Sequence, residues 1–357
     1  MKHPYENQPD IARWKRSVAA VAPENLDPLK TFSFKVSASD KVATAGSCFA
    51  QHIAKRLSAS GYNYYVTEAG HPLASKETRE KFQYGLYSAR YGNLYTVRQL
   101  LQLFREAFGE RQPTETVWSL DEKFVDPLRP NVEPGGFYSD EEVQLDRRQH
   151  LAAVREMFET LDVFVFTLGL TEAWESREDG TVFPLCPGVH GGVYDEGKYA
   201  FHNFDVFETV SDLKALLEGL FSVNSNAKVI LTVSPVPLVA TAEDRGVLIS
   251  TTYSKSVLRV ACDEMKRAFP EQVEYFPSYE IITGGYSRGA YFEEDLRSVK
   301  TEGVDHVMRV FFRHVTDESS EPAVPIPDAA EESFTQKLNS MNQLICEEEM
   351  LDAASGR

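Results

Sequence analysis

Long apolar runs are missing from this chain. Nowhere do eighteen apolar residues follow one another, and the opening Met1-Lys2-His3-Pro4-Tyr5-Glu6-Asn7 lacks an apolar leader core. The expectation is a cytoplasmic protein with neither a membrane span nor a secretory signal. Cysteine is scarce: Cys48, Cys186, Cys262 and Cys346 lie far apart and form no C-x-x-C pair. That pattern fits reduced thiols and excludes a disulfide-framed scaffold. Positive charge is also in deficit, with 37 Lys and Arg against 54 Asp and Glu and a net charge of −17. Such a chain is poorly suited to phosphate backbones or anionic membrane surfaces, so no nucleic-acid partner is expected. There is no G-x-x-x-x-G-K-[ST], no G-x-G-x-x-G and no H-E-x-x-H. No His/Cys spacing points to a metal, and neither metal nor cofactor is expected. No internal repeat is apparent.

What is present divides into three parts. Residues 1–30 are polar, carry Pro4, Pro9, Pro23 and Pro28, and read as an arm with one short helical stretch around Ile11–Ala20. Residues 31–316 read as the folded domain. Residues 317–357 hold ten acids and two bases, which is about half of the net charge, so the rest of the chain is only mildly acidic. This tail starts with a proline-rich linker and ends in a helix with Phe334, Leu338, Met341 and Ile345 at 4-3-4 spacing. That stripe is read as a self-docking element or a homodimer contact.

Within the domain, apolar strand-like runs alternate with amphipathic helical ones. Strands are expected near residues 42, 62, 163, 229 and 273, with Phe32, Phe34 and Val36 as an added edge strand or part of the arm. Helices are expected after Phe49, over 98–108, 141–160, 210–221 and 250–268, and over Thr301–Val315. Asp162–Leu168 is a short apolar run of the kind found in a strand buried on both faces. Alternation of this kind makes a parallel sheet of about five strands covered on both sides. The fold class is therefore α/β, a flavodoxin-like three-layer sandwich. Two long segments, 109–140 and 175–205, read as loop insertions that could wall a pocket.

The stretch Lys41-Val42-Ala43-Thr44-Ala45-Gly46-Ser47-Cys48-Phe49-Ala50 reads as strand, turn and helix start. Ser47 thus falls where open α/β folds place their chemistry. Amides left free at a helix start can hold a developing oxyanion. The plainer role for Ser47 is an N-cap. The Tyr84–Tyr95 loop, with Gly92 and Asn93, and the Gly169-Leu170-Thr171-Glu172 turn also follow strands, as does Asp295 farther on. In one parallel sheet these would converge on one edge.

That order resembles the GSCFA family, named for the string Gly46-Ser47-Cys48-Phe49-Ala50, within the SGNH (GDSL-like) hydrolase superfamily. The likeness extends through Thr167–Trp174, Thr232–Pro237 and Tyr275–Glu280, and covers roughly residues 31–315. The resemblance implies an SGNH-like sheet and makes Ser47 the nucleophile. It makes Gly92 and the Gly169–Glu172 block the oxyanion and substrate-binding elements. Where the superfamily has Gly-x-Asn-Asp, this chain has Thr171 for the asparagine, and Asn93 or Asn203 could replace it. Where the superfamily has Asp-x-x-His, the chain has Asp295-Leu296-Arg297-Ser298, with serine in the histidine's position. The remaining candidates for a base are His306, whose helical phase points it outward to solvent, and His202. His52 and His190 come behind them.

The reading this supports is a serine-dependent acyl-transfer enzyme, an O-acyl esterase or acyltransferase. Ser47 attacks, amides of Ser47 and Gly92 hold the oxyanion, His306 or His202 is the base and Asp295 orients it. Its substrate would be a carbohydrate or small-molecule ester. The alternative is a non-catalytic binding or scaffolding protein that has lost its base. A third reading makes Cys48 or Cys186 the nucleophile, though neither has a basic sequence neighbour other than His52.

Overall fold

The computed structural model describes residues 3–317. In chain order its elements are β1 (Val42–Gly46), α1 (Phe49–Ala59), α2 (Lys76–Lys81), α3 (Val97–Ala107), β2 (Trp118–Leu120), β3 (Lys123–Val125) and α4 (Asp140–Thr160). They continue with β4 (Val163–Leu168), β5 (Glu172–Ser176), β6 (Val182–Phe183), β7 (Tyr199–Asn203), α5 (Val206–Val223) and β8 (Lys228–Val233). The last are α6 (Val247–Ala268), β9 (Val273–Tyr275), α7 (Ser278–Thr283) and α8 (Thr301–Val315). No helix among the described residues is long and apolar enough to cross a membrane.

The central sheet is parallel and has four strands in the order β1-β4-β8-β9. Five were expected. The run at 62–66 contributes a single parallel bridge, Tyr64 to Val42, on the open side of β1. It goes no further because the chain turns away and the Thr67 N–H donates to the Ser88 carbonyl instead. The alternation of Phe32, Phe34 and Val36 also makes no edge strand. Val36 bridges to Thr316, and the two phenylalanines pack edge to face 5.3 Å apart beside the core around α8.

Side chains alternate across the sheet as a doubly covered strand requires. Ala43, Ala45, Phe164, Phe166, Leu168, Val229, Leu231 and Val233 join α3–α6 in one core. Val42, Val163, Val165 and Ile230 join α1, α7 and α8 in the other. Helices therefore cover both faces of the sheet. The helix starts carry their own signals: Thr96 and Gln99 form a reciprocal capping box on α3, as do Asp205 and Glu208 on α5.

Both insertions, expected as loop, contain strands. β2 and β3 make a hairpin within 109–140, while β6, β5 and β7 make a three-stranded antiparallel sheet beyond β4. Trp118, Phe183 and Tyr199 pack the two insertions together. The arm lies along α8, with Leu26 buried. The acidic tail beyond Asp317, including its expected helix and dimer contact, lies outside the described residues.

Next to α3 and α4 is a buried ionic network. Arg90, Arg129 and Arg147 are each at most 5% exposed and pair with Asp146, Asp126 and Glu106. His150, wholly buried, bonds through Nδ1 to Glu68 at 2.6 Å. Burial alone would raise the Glu68 carboxyl, but His150 and Arg129 outweigh it and hold it at about 2. Burial first, then Arg129, pushes His150 down to about 4. The unfolded chain takes up protons at the ordinary values of 6.5 and 4.5, where the folded protein does not. Stability is therefore lost as pH falls through that range, and it is retained above it. Thermal melts should drop on acidification below about pH 6.5, and His150→Gln should flatten the first part of that fall. His52, pushed down to about 4 by burial and then by Lys55 and Arg56, would leave a residual slope.

Candidate active site

β1 ends against β4 more closely than any side chain would allow. Gly46 has φ +131°, and a Cβ there would sit 2.1 Å from the Thr167 carbonyl oxygen. Only glycine fits such an approach. The next residue, Ser47, donates its N–H to that same carbonyl at 3.1 Å. Ala50 N–H then closes on the Ser47 carbonyl at 2.8 Å and Gln51 N–H on Cys48 at 3.1 Å, which starts α1. Ser47 is thus delivered to the C-terminal edge of the sheet. It is 3% exposed, and its Oγ is buried without a hydrogen-bond partner among the described residues. A buried hydroxyl left unpaired costs about 1–3 kcal/mol, so this one calls for an explanation.

Two loops close around it. Leu94 N–H donates to the Gly46 carbonyl at 3.0 Å, which ties the Gly92–Tyr95 segment to the end of β1. Gly92 is buried at φ +72°. Asn93 accepts from the Tyr87 hydroxyl at 3.4 Å, and Gln51 donates to Tyr87 at 3.0 Å. From the other side, Gly169 and Leu170 both donate their N–H to the Tyr95 carbonyl at 3.0 Å. A Cβ on Gly169 would come within 3.3 Å of the Ser47 Cβ. Lys255, 2% exposed on α6, donates from Nζ to the Gly169 carbonyl at 2.6 Å. Ser47, Cys48, Tyr95, Gly169, Leu170, Lys255 and the Ser234–Leu238 loop line one narrow cleft.

The amides are more committed than the sequence suggested. Ser47 N–H belongs to Thr167, and the Gly169–Thr171 turn spends its donors on Tyr95 and on Ser254 Oγ at 3.0 Å. The backbone hydrogen bonds that tie these loops to the sheet do not draw on Gly92 N–H. Phe49, the first residue of α1, lacks an acceptor within its helix by the geometry of a helix start.

Thr171 and Asn203 are brought together, with Thr171 Oγ1 donating to Asn203 Oδ1 at 2.7 Å. The Asn203 amide then donates to Glu243 at 2.8 Å. Glu172 accepts from Thr241 at 2.7 Å, and burial raises its carboxyl above the usual range. Asp295 is exposed and closes a turn on its own neighbours, accepting from Ser298 Oγ at 2.6 Å and from the N–H of Arg297 and Ser298. Burial would raise it, but these bonds prevail and it is lowered. The turn reaches the cleft wall through Arg297 Nε, 3.2 Å from the Pro237 carbonyl.

Neither leading histidine lies in the cleft. His306 is 2% exposed, not solvent-facing: the outward face of α8 is covered by the arm. Its Nε2 donates to the Leu26 carbonyl at 2.6 Å, and its Nδ1 accepts from the Tyr291 hydroxyl at 2.7 Å. Burial lowers its basicity further. His202, on β7, sits between Glu175 at 3.3 Å and Glu208 at 3.0 Å. Burial would lower it, but the two carboxylates prevail and it is raised. His190 is lowered by burial and its Nε2 is unpaired among the described residues, in the loop whose Gly191 and Gly192 pack on Val125 and Trp118. His52 packs on Phe49 with ring centres 5.6 Å apart. Cys48 lines the cleft, whereas burial pushes the Cys186 thiol up to about 11.

The residue that sequence reasoning passed over is Lys255. Its signal was available, since Lys255, Leu258 and Cys262 keep the i, i+3, i+7 spacing of an inward face. The molecule is thus an α/β protein with a buried serine at the C-terminal edge of its parallel sheet, unpartnered among the described residues. The chain belongs to the GSCFA family, whose sequence profile matches residues 41–311. No curated protein and no solved structure matches it.

Because both His306 ring nitrogens are held by the fold, His306→Ala should lower stability by about 3 kcal/mol. In protein that remains folded, the reactivity of Ser47 should be unchanged. Denaturant melts and the rate of Ser47 modification check the two halves.

Proposed function

We propose that this protein is a serine-dependent acyl-transfer enzyme, an O-acyl esterase or acyltransferase acting on a carbohydrate or small-molecule ester. The observation that carries this reading is the Ser47 hydroxyl, buried in a cleft at the sheet edge with no hydrogen-bond partner among the described residues. The resemblance of its motif blocks to SGNH hydrolases supports the same reading. Ser47 Oγ would attack the ester carbonyl, and Gly92 N–H and the α1 start would receive the oxyanion, the role such donors fill in acyl transfer. Hydrolysis and transfer then differ in whether water or a second hydroxyl takes up the acyl group. The cytoplasmic setting expected from the sequence is compatible with either.

The second reading, a binding protein that keeps the fold, is favoured by one observation. Asp295 spends its carboxylate on Ser298 and two backbone amides, with no imidazole to orient.

Ser47→Ala separates the readings. Wild-type protein should hydrolyse a short-chain aryl acetate and gain one fluorophosphonate adduct by intact mass. The variant should lose both, a fall of at least about 10³ in rate. A well-folded wild type that takes no adduct would favour the binding protein.

A further inference from the structure

We propose that Lys255 is the general base for Ser47, a role that rests on the acyl-transfer reading above. Among the residues lining the cleft it is the one amine, and no imidazole joins it. Gly169 links the two side chains. The Ser47 Cβ packs against the face of Gly169 where a Cβ would lie 3.3 Å away, and Lys255 Nζ is 2.6 Å from the carbonyl oxygen of the same residue. The lysine stem runs buried from α6, so the amine is fixed by packing as well as by that hydrogen bond. Beside it, Ser254 Oγ accepts the Thr171 N–H at 3.0 Å, so two consecutive residues of α6 hold the turn that abuts Ser47.

The chemistry balances without any further reactant. As Ser47 Oγ forms its bond to the carbonyl carbon, its proton passes to Lys255 Nζ and the C=O electron pair moves onto oxygen. Collapse of that oxyanion expels the alcohol of the ester as the C–O bond breaks, and the lysine returns the proton to it. Water or an acceptor hydroxyl then gives its proton to the same amine as it attacks the acyl-serine. The second oxyanion collapses, the bond from the acyl carbon to Ser47 Oγ breaks, and the amine returns the proton to Ser47. A lysine amine serves as a base in its neutral form, and the rise in rate with pH described below reads that form. Ser47 Oγ makes no hydrogen bond to it in the free protein, and catalytic contacts of this kind often tighten only when substrate is bound.

The test is the rate of fluorophosphonate modification of Ser47 in the wild type, Lys255→Met and Lys255→Arg, followed by intact mass between about pH 6 and 10, with a thermal melt of each. The expected result is a wild-type rate that climbs through one deprotonation. Both variants should be slower by about 10²-fold or more and lack that limb. Arginine keeps a donor for the Gly169 carbonyl but cannot accept a proton at these pH values. A Lys255→Arg protein labelled near the wild-type rate would make Lys255 a structural clamp and overturn the proposal while leaving Ser47 as nucleophile. If the wild type itself takes no label at Ser47, the serine reading falls and this proposal with it.

Discussion

The contact between Gly46 and the Thr167 carbonyl governs the geometry of this molecule's edge. Because no side chain separates them, β1 stays in register with β4 to its own last residue, Gly46 opposite Thr167. One carbonyl then accepts the Ser47 amide and sets where the chain turns into α1. A single added methyl at residue 46 would push β1 off β4 and move the serine with it. The GSCFA string is, in physical terms, a strand that must end in a glycine, a serine carried over the edge and a helix that begins at once.

The surroundings of that serine are held from further away. The Tyr91–Tyr95 segment is anchored by the Tyr91 hydroxyl on the Thr44 carbonyl and follows directly on Arg90, which is buried in the ionic network beside α4. Burying three guanidinium groups is tolerable only because each is matched by carboxylates, and removing one partner would leave an uncompensated charge. The network thus joins the first insertion and α4 to the loop that carries Gly92 and Asn93. On the opposite side, α6 holds the Gly169 turn through Ser254 and Lys255. The cleft is shaped by buried polar groups on rigid elements, as precise positioning demands.

Much of the fold was legible in the sequence. Periodicity located α8 over Thr301–Val315 and α4 to within a residue, and the apolar runs located β4 and β8. Reading failed where a tertiary partner decides the outcome. The 62–66 run has strand character but meets β1 only at Val42. Of the two readings of Phe32, Phe34 and Val36 it is the arm, packed beside the core around α8, that the tertiary contacts select. His306 shows the same limit. Its helical phase does point away from the sheet, but phase says nothing of an arm laid over that face. Of the candidate site, the placement of Ser47 at the sheet edge and of the loops beside it was legible. Lys255 and the commitment of each amide were not, because they depend on which residues meet across α6, β4 and the Tyr95 loop.

The role proposed for Ser47 is that of a nucleophile in a preorganised cleft. The most direct measurement is a crystal structure of the protein after treatment with a small fluorophosphonate. Density should run continuously from Ser47 Oγ to phosphorus, with the phosphonyl oxygen turned toward the amides of Gly92 and Phe49. An unmodified Ser47, or phosphorus bound to another side chain of the cleft, would contradict it.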